Sequence, residues 1–210
     1  RRKFPKTKAR LEIGRMNYLQ FIKQDLQNSV TPKDLIRKTY LTYPAAALLG
    51  YENQQYEILK EISKNFEIPI SSIQIAGSAK IGYSLHKDRD FNQGQSDLDI
   101  AIIDQNLFVK YMEKIFSETR AYSNRSSFPL NRDGVSRADE FISYLSRGIF
   151  NAKAMPSGET RKQWNKFFGM LSKKHSNIFK HINAVIYLSE EFFEVKQLSA
   201  LKIYRDREGI

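Results

Sequence analysis

The sequence predicts an α+β fold in which a small sheet is flanked by several helices. Three short apolar runs have strand character, at residues 72–76, 98–103 and 178–189. Apolar side chains recur at helical spacing in residues 15–27, 52–65, 106–118, 137–150, 160–173 and 190–204. Because these strands and helices do not alternate regularly, the order favours α+β over a βαβ repeat.

The residues before the first strand are predicted to be a basic tail followed by helices. Residues 1–10 form the tail, and a helix follows at 15–27. Thr31, Pro32 and Asp34 then indicate the start of a second helix. They supply a capping hydroxyl, a first-turn proline and a carboxylate near the positive end of the helix dipole.

The composition excludes several kinds of site. The chain has no cysteine, which removes disulfides, thiolate zinc sites and a cysteine nucleophile. Its histidines, His86, His175 and His181, do not have a metal-binding spacing. No apolar run approaches the roughly 18 residues of a membrane span. We therefore expect a cytoplasmic protein that does not enter a membrane.

The formal net charge of the 210 residues is +11. Such an excess favours polyanionic partners, namely nucleic acid, nucleotides or an acidic membrane face. It is equally compatible with a generally basic, soluble surface.

The most informative segment lies between the first two strands. Gly77 and Ser78 end the first apolar run, and a helix or helical turn is predicted for residues 78–85. Asp97 and Asp99 open the second run. Since side chains alternate along a strand, both carboxylates point to one face, with Cα atoms roughly 6.6 Å apart. Two like charges on one face are unfavourable unless something positive bridges them.

Two interpretations of this segment are disfavoured. A P-loop would need lysine where Tyr83 stands, and its acidic residue would follow the apolar strand and not precede it. A purely structural role, with Gly77 and Ser78 as a helix start, is common in proteins. It does not explain why Asp97 and Asp99 open a buried strand.

A phosphate and metal site accounts for both motifs. Carboxylate oxygens suit Mg²⁺ or Mn²⁺, which is usually held by one or two carboxylates together with substrate phosphates. The backbone N–H groups after Gly77 and the Ser78 hydroxyl suit a triphosphate. Glycine allows the backbone to approach the phosphates closely.

The stretches "IAGSAKIGYS" and "SDLDIAII" resemble the signature of the nucleotidyltransferase superfamily typified by DNA polymerase β. The resemblance implies a small mixed β-sheet, and transfer of a nucleoside monophosphate from an NTP to an acceptor hydroxyl with two divalent metals. It makes Asp97 and Asp99 the catalytic and metal-binding residues. The nucleotide-binding residues it implies are Gly77, Ser78, Lys80 and Ser96.

The match in element order extends over residues 52–103. The C-terminal part more loosely resembles stand-alone bacterial members of the superfamily. We therefore expect a basic tail and helices in residues 1–50 and a nucleotidyltransferase-like domain in residues 51–210, with a helical insertion at about 120–176.

The third carboxylate of the family is the main departure. Its expected place on the last strand is occupied by Asn183, which is neutral and cannot act as a general base. Glu190 and Glu191, just past the strand, are the alternative donors. If neither serves, the chain is a catalytically degenerate nucleotide- or nucleic-acid-binding module of a larger bacterial assembly.

Two sets of basic residues are weaker candidates for contacts with phosphates or RNA. Lys80, Lys87 and Arg89 follow the Gly-Ser motif, and Lys153, Arg161 and Lys162 precede Trp164. Basic residues interleaved with aromatics suit RNA, although a core-facing helix explains the same aromatics. The leading expectation is a metal-dependent nucleotidyltransferase whose acceptor is RNA or another polyanion. The sequence does not identify the base of the NTP or the acceptor.

Overall fold

A mixed four-stranded sheet is at the centre of the computed structural model, which describes residues 18–209. The order of the strands is β1-β4-β6-β5; β4 and β6 are parallel, and the other two pairs are antiparallel. A separate two-stranded ribbon is formed by β2 and β3. The strands are β1 Ile73–Ala76, β2 Tyr83–Ser84, β3 Arg89–Asp90, β4 Leu98–Ile103, β5 Ile149–Asn151 and β6 Ile182–Tyr187.

Eight α-helices are found in the part of the chain that the structure describes. They are α1 Leu19–Gln27, α2 Pro32–Ile36, α3 Glu52–Phe66, α4 Gly77–Ile81, α5 Gln105–Glu118, α6 Ala138–Leu145, α7 Glu159–Lys174 and α8 Glu190–Glu208. A π-helix, Arg37–Thr42, continues α2. This content confirms the predicted α+β class. Between residues 18 and 209 no helix is both long and apolar enough to cross a bilayer.

The N-terminal helices begin where the capping signals predict. The Thr31 side chain accepts a hydrogen bond from the Asp34 backbone N–H at 3.1 Å, and Pro32 is the first residue of α2. The beginning of the helix predicted for residues 15–27, with Met16, lies outside the described residues.

The sheet has an apolar core on each face. On one face Leu98 and Ile100 are buried with Trp164 and Phe168, so these two aromatics are core residues. The opposite face carries Asp99 and packs α1, α2 and α8 around a second cluster that includes Tyr40. The helices before residue 51 therefore share a core with the sheet.

Two predicted helices are shorter in the structure. The helix predicted for residues 78–85 ends at Ile81, because Gly82 has a left-handed φ of 80° and the chain then turns into the β2–β3 ribbon. The helix predicted for 137–150 ends at Leu145. A turn at Gly148 leads from it into β5, which pairs with β6 at the edge of the sheet. The segment expected to be a helical insertion therefore also supplies a strand.

Candidate functional site

The two aspartates lie at the start of the central strand. Asp99 has Ala76 of β1 as its neighbour on one side and Asn183 of β6 on the other. Asp97 immediately precedes β4, and both aspartates are partly exposed. Leu98, between them, is fully buried on the opposite face. The burial of Leu98 and Ile100 with Asp99 partly exposed between them agrees with the predicted alternation, and the shared face of Asp97 and Asp99 stays a prediction.

Neither carboxylate has a hydrogen bond or an ion pair with another residue in the range 18–209. Burial raises the pKa of the Asp99 carboxyl above its ordinary value. The charge of Lys153 opposes this rise, that of Asp97 adds to it, and that of Lys87 opposes it. The carboxylates of Asp97 and Asp99 therefore repel each other, and neither is paired with a cation of the described protein.

Gly77 connects the Gly-Ser motif to the aspartates. Its φ is +61°, and a Cβ at this position would lie 3.3 Å from the Cβ and Cγ of Asp99 and overlap its Oδ2. A side chain here would therefore force the Asp99 carboxylate to move. The sequence argument expected glycine here for a different reason, the approach of a phosphate.

The remaining predicted nucleotide contacts have different surroundings. Ser78 is partly exposed, and its hydroxyl makes no hydrogen bond within residues 18–209. Lys80 is only 4% exposed, and its Nζ donates to the backbone oxygen of Tyr43. Ser96 is also buried, and its Oγ accepts the Asn92 backbone N–H at 3.0 Å.

Of these residues, only Ser78 offers its side chain to a ligand. The ammonium of Lys80 is buried against a carbonyl oxygen, and burial lowers the pKa of Lys80 to about 8. This geometry does not present Lys80 to a phosphate. The hydroxyl of Ser96 stabilises the loop before β4 through its hydrogen bond with Asn92.

Asn183 occupies the place that the family pattern gives to its third carboxylate. It is the direct neighbour of Asp99 across the parallel pair. Glu190 and Glu191 do not replace it, because they begin α8 beyond the opposite end of β6, roughly 13 Å farther along the strand direction. Glu191 also pairs with Lys33 at 2.7 Å. The structure therefore does not bring these two alternative donors to the aspartates.

The side chains of Asp97, Asp99 and Asn183 suit a divalent cation only when a bound ligand supplies further oxygen atoms. Within residues 18–209 no group of three or more His, Cys, Asp or Glu side chains is placed to hold a metal. Asp97 and Asp99, with Asn183 beside Asp99, offer two carboxylates and one amide. Mg²⁺ commonly binds in this way, with one or two carboxylates and substrate phosphates.

A basic cavity of about 490 Å³ adjoins Asn183. Lys153 and Arg161 line it, whereas Lys162, also predicted to belong to this cluster, does not. Arg137 and His181 complete its basic wall. Lys87 and Arg89 are exposed residues in and near the β2–β3 ribbon.

Sequence reasoning missed several residues around this site. Burial and, secondarily, the charge of Asp99 raise the pKa of Tyr40 and of Tyr187, so both rings lie within the electrostatic reach of the carboxylate. The alternation along β6 places Tyr187 on the Asn183 face. This position could have been inferred from the sequence alone. Tyr40 lies in the π-helix, for which the sequence gives no signal. Gly169 of α7, which lines the cavity, was visible as a glycine inside a helical pattern.

Comparison of the chain with protein-family models, curated proteins and solved structures finds no match. The assignment to a class of protein therefore rests on the residues and their geometry.

Proposed function

We propose that the protein is a metal-dependent nucleotidyltransferase on a nucleotidyltransferase-type sheet. The observation that supports the proposal is the pair Asp97 and Asp99 at the start of β4, since neither carboxylate has a bonded partner in the described protein. Both carboxylates are partly exposed, so a ligand can reach oxygens that no protein donor engages. Two unsatisfied carboxylates together favour a ligand-binding role.

Each residue near the pair has a defined part in this proposal. Asp97 and Asp99 hold Mg²⁺ or Mn²⁺, which would supply charge neutralisation at the transferring phosphate. The Ser78 hydroxyl, next to Gly77, donates to the triphosphate. The acceptor hydroxyl would then attack the α-phosphorus and release its proton to solvent water as the bond to pyrophosphate breaks. The net charge of +11 favours RNA or another polyanion as the acceptor.

A second function is favoured by one specific residue. Asn183 stands beside Asp99 where the family pattern has a carboxylate, and an amide binds a metal less strongly and takes no proton. On this alternative the protein binds a nucleotide or nucleic acid without turnover, as a module of a larger assembly. The absence of cysteine suits a cytoplasmic location for either function.

One experiment separates the two functions. The protein is incubated with Mg²⁺ or Mn²⁺, each labelled NTP and total cellular RNA, and the label is followed into acid-insoluble or protein-bound products. A parallel melting experiment measures whether metal and NTP together raise Tm, as ligands of the native state do. Label transfer that Asp97→Asn with Asp99→Asn abolishes supports the enzyme. A Tm increase without transfer supports the binding module, and neither effect with any NTP overturns both.

A further inference from the structure

The cavity beside Asn183 is basic and has no acidic residue in its described lining. It lies between α7, the residues after β5 and the start of β6. Most of its apolar lining, with Trp164 and Phe168, belongs to the Leu98 face of the sheet, and Asn183 connects it with the Asp99 face. Its charged side chains are Arg137, Lys153 and Arg161, and His181 also lines it. A concave wall with one sign of charge concentrates ions of the opposite sign. The lining therefore favours an anionic ligand.

The guanidinium groups of this wall are held in place by the backbone. Arg161 Nη1 donates to the Met155 carbonyl oxygen at 2.6 Å, and Arg137 Nη1 donates to the Lys153 carbonyl oxygen at 3.0 Å. Arg137 is also paired with Glu140 at 2.6 Å. Fixing such side chains before binding lowers the entropy cost of forming an ionic contact.

Lys153 differs from the two arginines because its ammonium group has no hydrogen-bond or ion-pair partner among the described residues. Its side chain is exposed and makes no hydrogen bond or ion pair within residues 18–209. The residue lines the cavity, and its charge reaches Asp99. Asn183, which also lines the cavity, is the direct neighbour of Asp99 across the parallel pair, so the cavity adjoins the strand that carries the aspartates.

The absence of a side chain at Gly169 leaves space in the cavity wall that no other described residue fills. It lies inside α7, where glycine is among the least favourable residues. A Cβ at Gly169 would meet nothing within 4 Å. Since no neighbouring group requires glycine there, the missing side chain enlarges the cavity for a ligand.

We propose that this cavity binds a phosphate group of the acceptor, supplied by a nucleotide. This inference rests on the proposed transfer, because it takes Asp97 and Asp99 as the site that the acceptor must approach. A volume of about 490 Å³ is in the range of small-molecule pockets and suits one nucleotide unit. That unit is either a free mononucleotide or the terminal nucleotide of an RNA strand.

The single tryptophan of the chain provides a direct measurement, since Trp164 lines the cavity. Its fluorescence is followed in EDTA during titration with AMP, with a 5′-phosphorylated ribotetranucleotide and with the same strand without the phosphate. We expect a saturable change that requires the phosphate. Response to AMP identifies a free nucleotide as the source, and response to the phosphorylated strand alone identifies an RNA end.

Matched variants test the location. Lys153→Gln should weaken binding about tenfold, the effect of losing one charged hydrogen bond. Gly169→Leu should weaken it by placing an apolar side chain at the cavity wall, with circular dichroism confirming that α7 is intact. Lys162→Gln, which removes the same charge outside the lining, should leave the affinity within about twofold.

The outcomes for this inference and for the proposed function are distinct. The variant Asp97→Asn with Asp99→Asn should keep the fluorescence response in EDTA while losing transfer. Binding without any detectable transfer would overturn only the proposed enzyme. No response to any phosphate probe, or equal affinity in wild type, Lys153→Gln and folded Gly169→Leu, would overturn the phosphate pocket even if transfer is observed.

Discussion

Gly77 lies directly against the carboxylate of Asp99. These residues are 22 positions apart in sequence, but Ala76 and Asp99 are neighbours across the antiparallel β1–β4 pair. The turn from β1 into α4 therefore passes over the carboxylate, and a Cβ at Gly77 would force the Asp99 side chain to move. The Gly-Ser and Asp-x-Asp motifs are consequently two parts of one local structure.

Gly77→Ala should lower the free energy of unfolding by about 2–4 kcal/mol. The new methyl group would have to adopt a left-handed φ and also displace the Asp99 side chain. Gly94→Ala is the control, because Gly94 has a φ of +73° with nothing within 4 Å of its Cβ position. It should cost only about 1 kcal/mol, from the backbone alone.

A double-mutant cycle by urea denaturation isolates the contact between the two residues. In an Asp99→Ala background, Gly77→Ala should cost no more than Gly94→Ala does, because the overlapping atoms are gone. An unchanged cost in that background would show that Asp99 does not exclude a side chain at Gly77.

Asp97→Asn with Asp99→Asn should leave the stability of the metal-free protein unchanged or raise it by up to about 1 kcal/mol. The substitution removes repulsion between two carboxylates that have no bonded partner in the described residues. Melting curves in EDTA at low salt measure the effect. Scaffold carboxylates that accept hydrogen bonds would give the reverse, a loss of roughly 1–3 kcal/mol. Such a loss would contradict the metal-site interpretation.

The sequence predicted the strands around the site because their patterns are local and strong. The alternation through Asp97, Leu98 and Asp99 is sufficient to identify β4 and its two faces. The neighbouring positions of Asp99 and Asn183 depend on the register of β4 with β6, which the structure supplies. The prediction of Asn183 came from the family resemblance and the apolar run around it.

The elements that the sequence did not predict are set by tertiary contacts. The strand Ile149–Asn151 is too short to show a period, and it is fixed by pairing with β6. Similarly, a π-helix has no sequence signature, so the position of Tyr40 was not foreseeable. Lys80 was placed near phosphates on its spacing from Gly77, but the packing of α4 buries it against Tyr43.

Ser78→Ala should weaken triphosphate binding about tenfold without a change in stability beyond about 0.5 kcal/mol. The hydroxyl makes no hydrogen bond in the described protein, so its removal leaves no partner unsatisfied. Calorimetric titration with an NTP and Mg²⁺ measures the affinity, and Ser71→Ala, at an exposed serine just before β1, is the control. Equal affinities for wild type and Ser78→Ala would mean that the Gly-Ser turn is only a helix start.

Lys80 should make the stability of the protein increase with pH above 8. Burial lowers its pKa from the ordinary 10.5 to about 8 in the folded state. Between these values the unfolded chain binds more protons than the folded one, so the free energy of unfolding rises with pH. Below pH 8 both states are protonated, and this contribution to the slope vanishes.

Urea denaturation at several pH values tests this expectation. The wild type should gain about 2 kcal/mol relative to Lys80→Met between pH 7 and pH 10. The comparison cancels groups that titrate equally in both proteins. A constant difference between the two proteins across that range would show that Lys80 titrates normally and is not buried in solution.

Ala121→Gly should raise the free energy of unfolding by about 0.5–1 kcal/mol. After α5 the chain makes a left-handed turn in which Arg120, Ala121 and Tyr122 have φ values of 51°, 56° and 62°. L-residues avoid this region at a cost of about 1–2 kcal/mol each, and glycine removes that cost while adding some unfolded-state entropy. The turn is fixed by hydrogen bonds from the Ala121 N–H to the Phe116 oxygen and from the Tyr122 N–H to Thr119 Oγ1.

The control is the same substitution at Ala200, in the right-handed helix α8. There it should lower the free energy of unfolding by about 1 kcal/mol. Chemical denaturation of the two variants therefore compares identical changes in atoms, and destabilisation by both would exclude a left-handed conformation at Ala121.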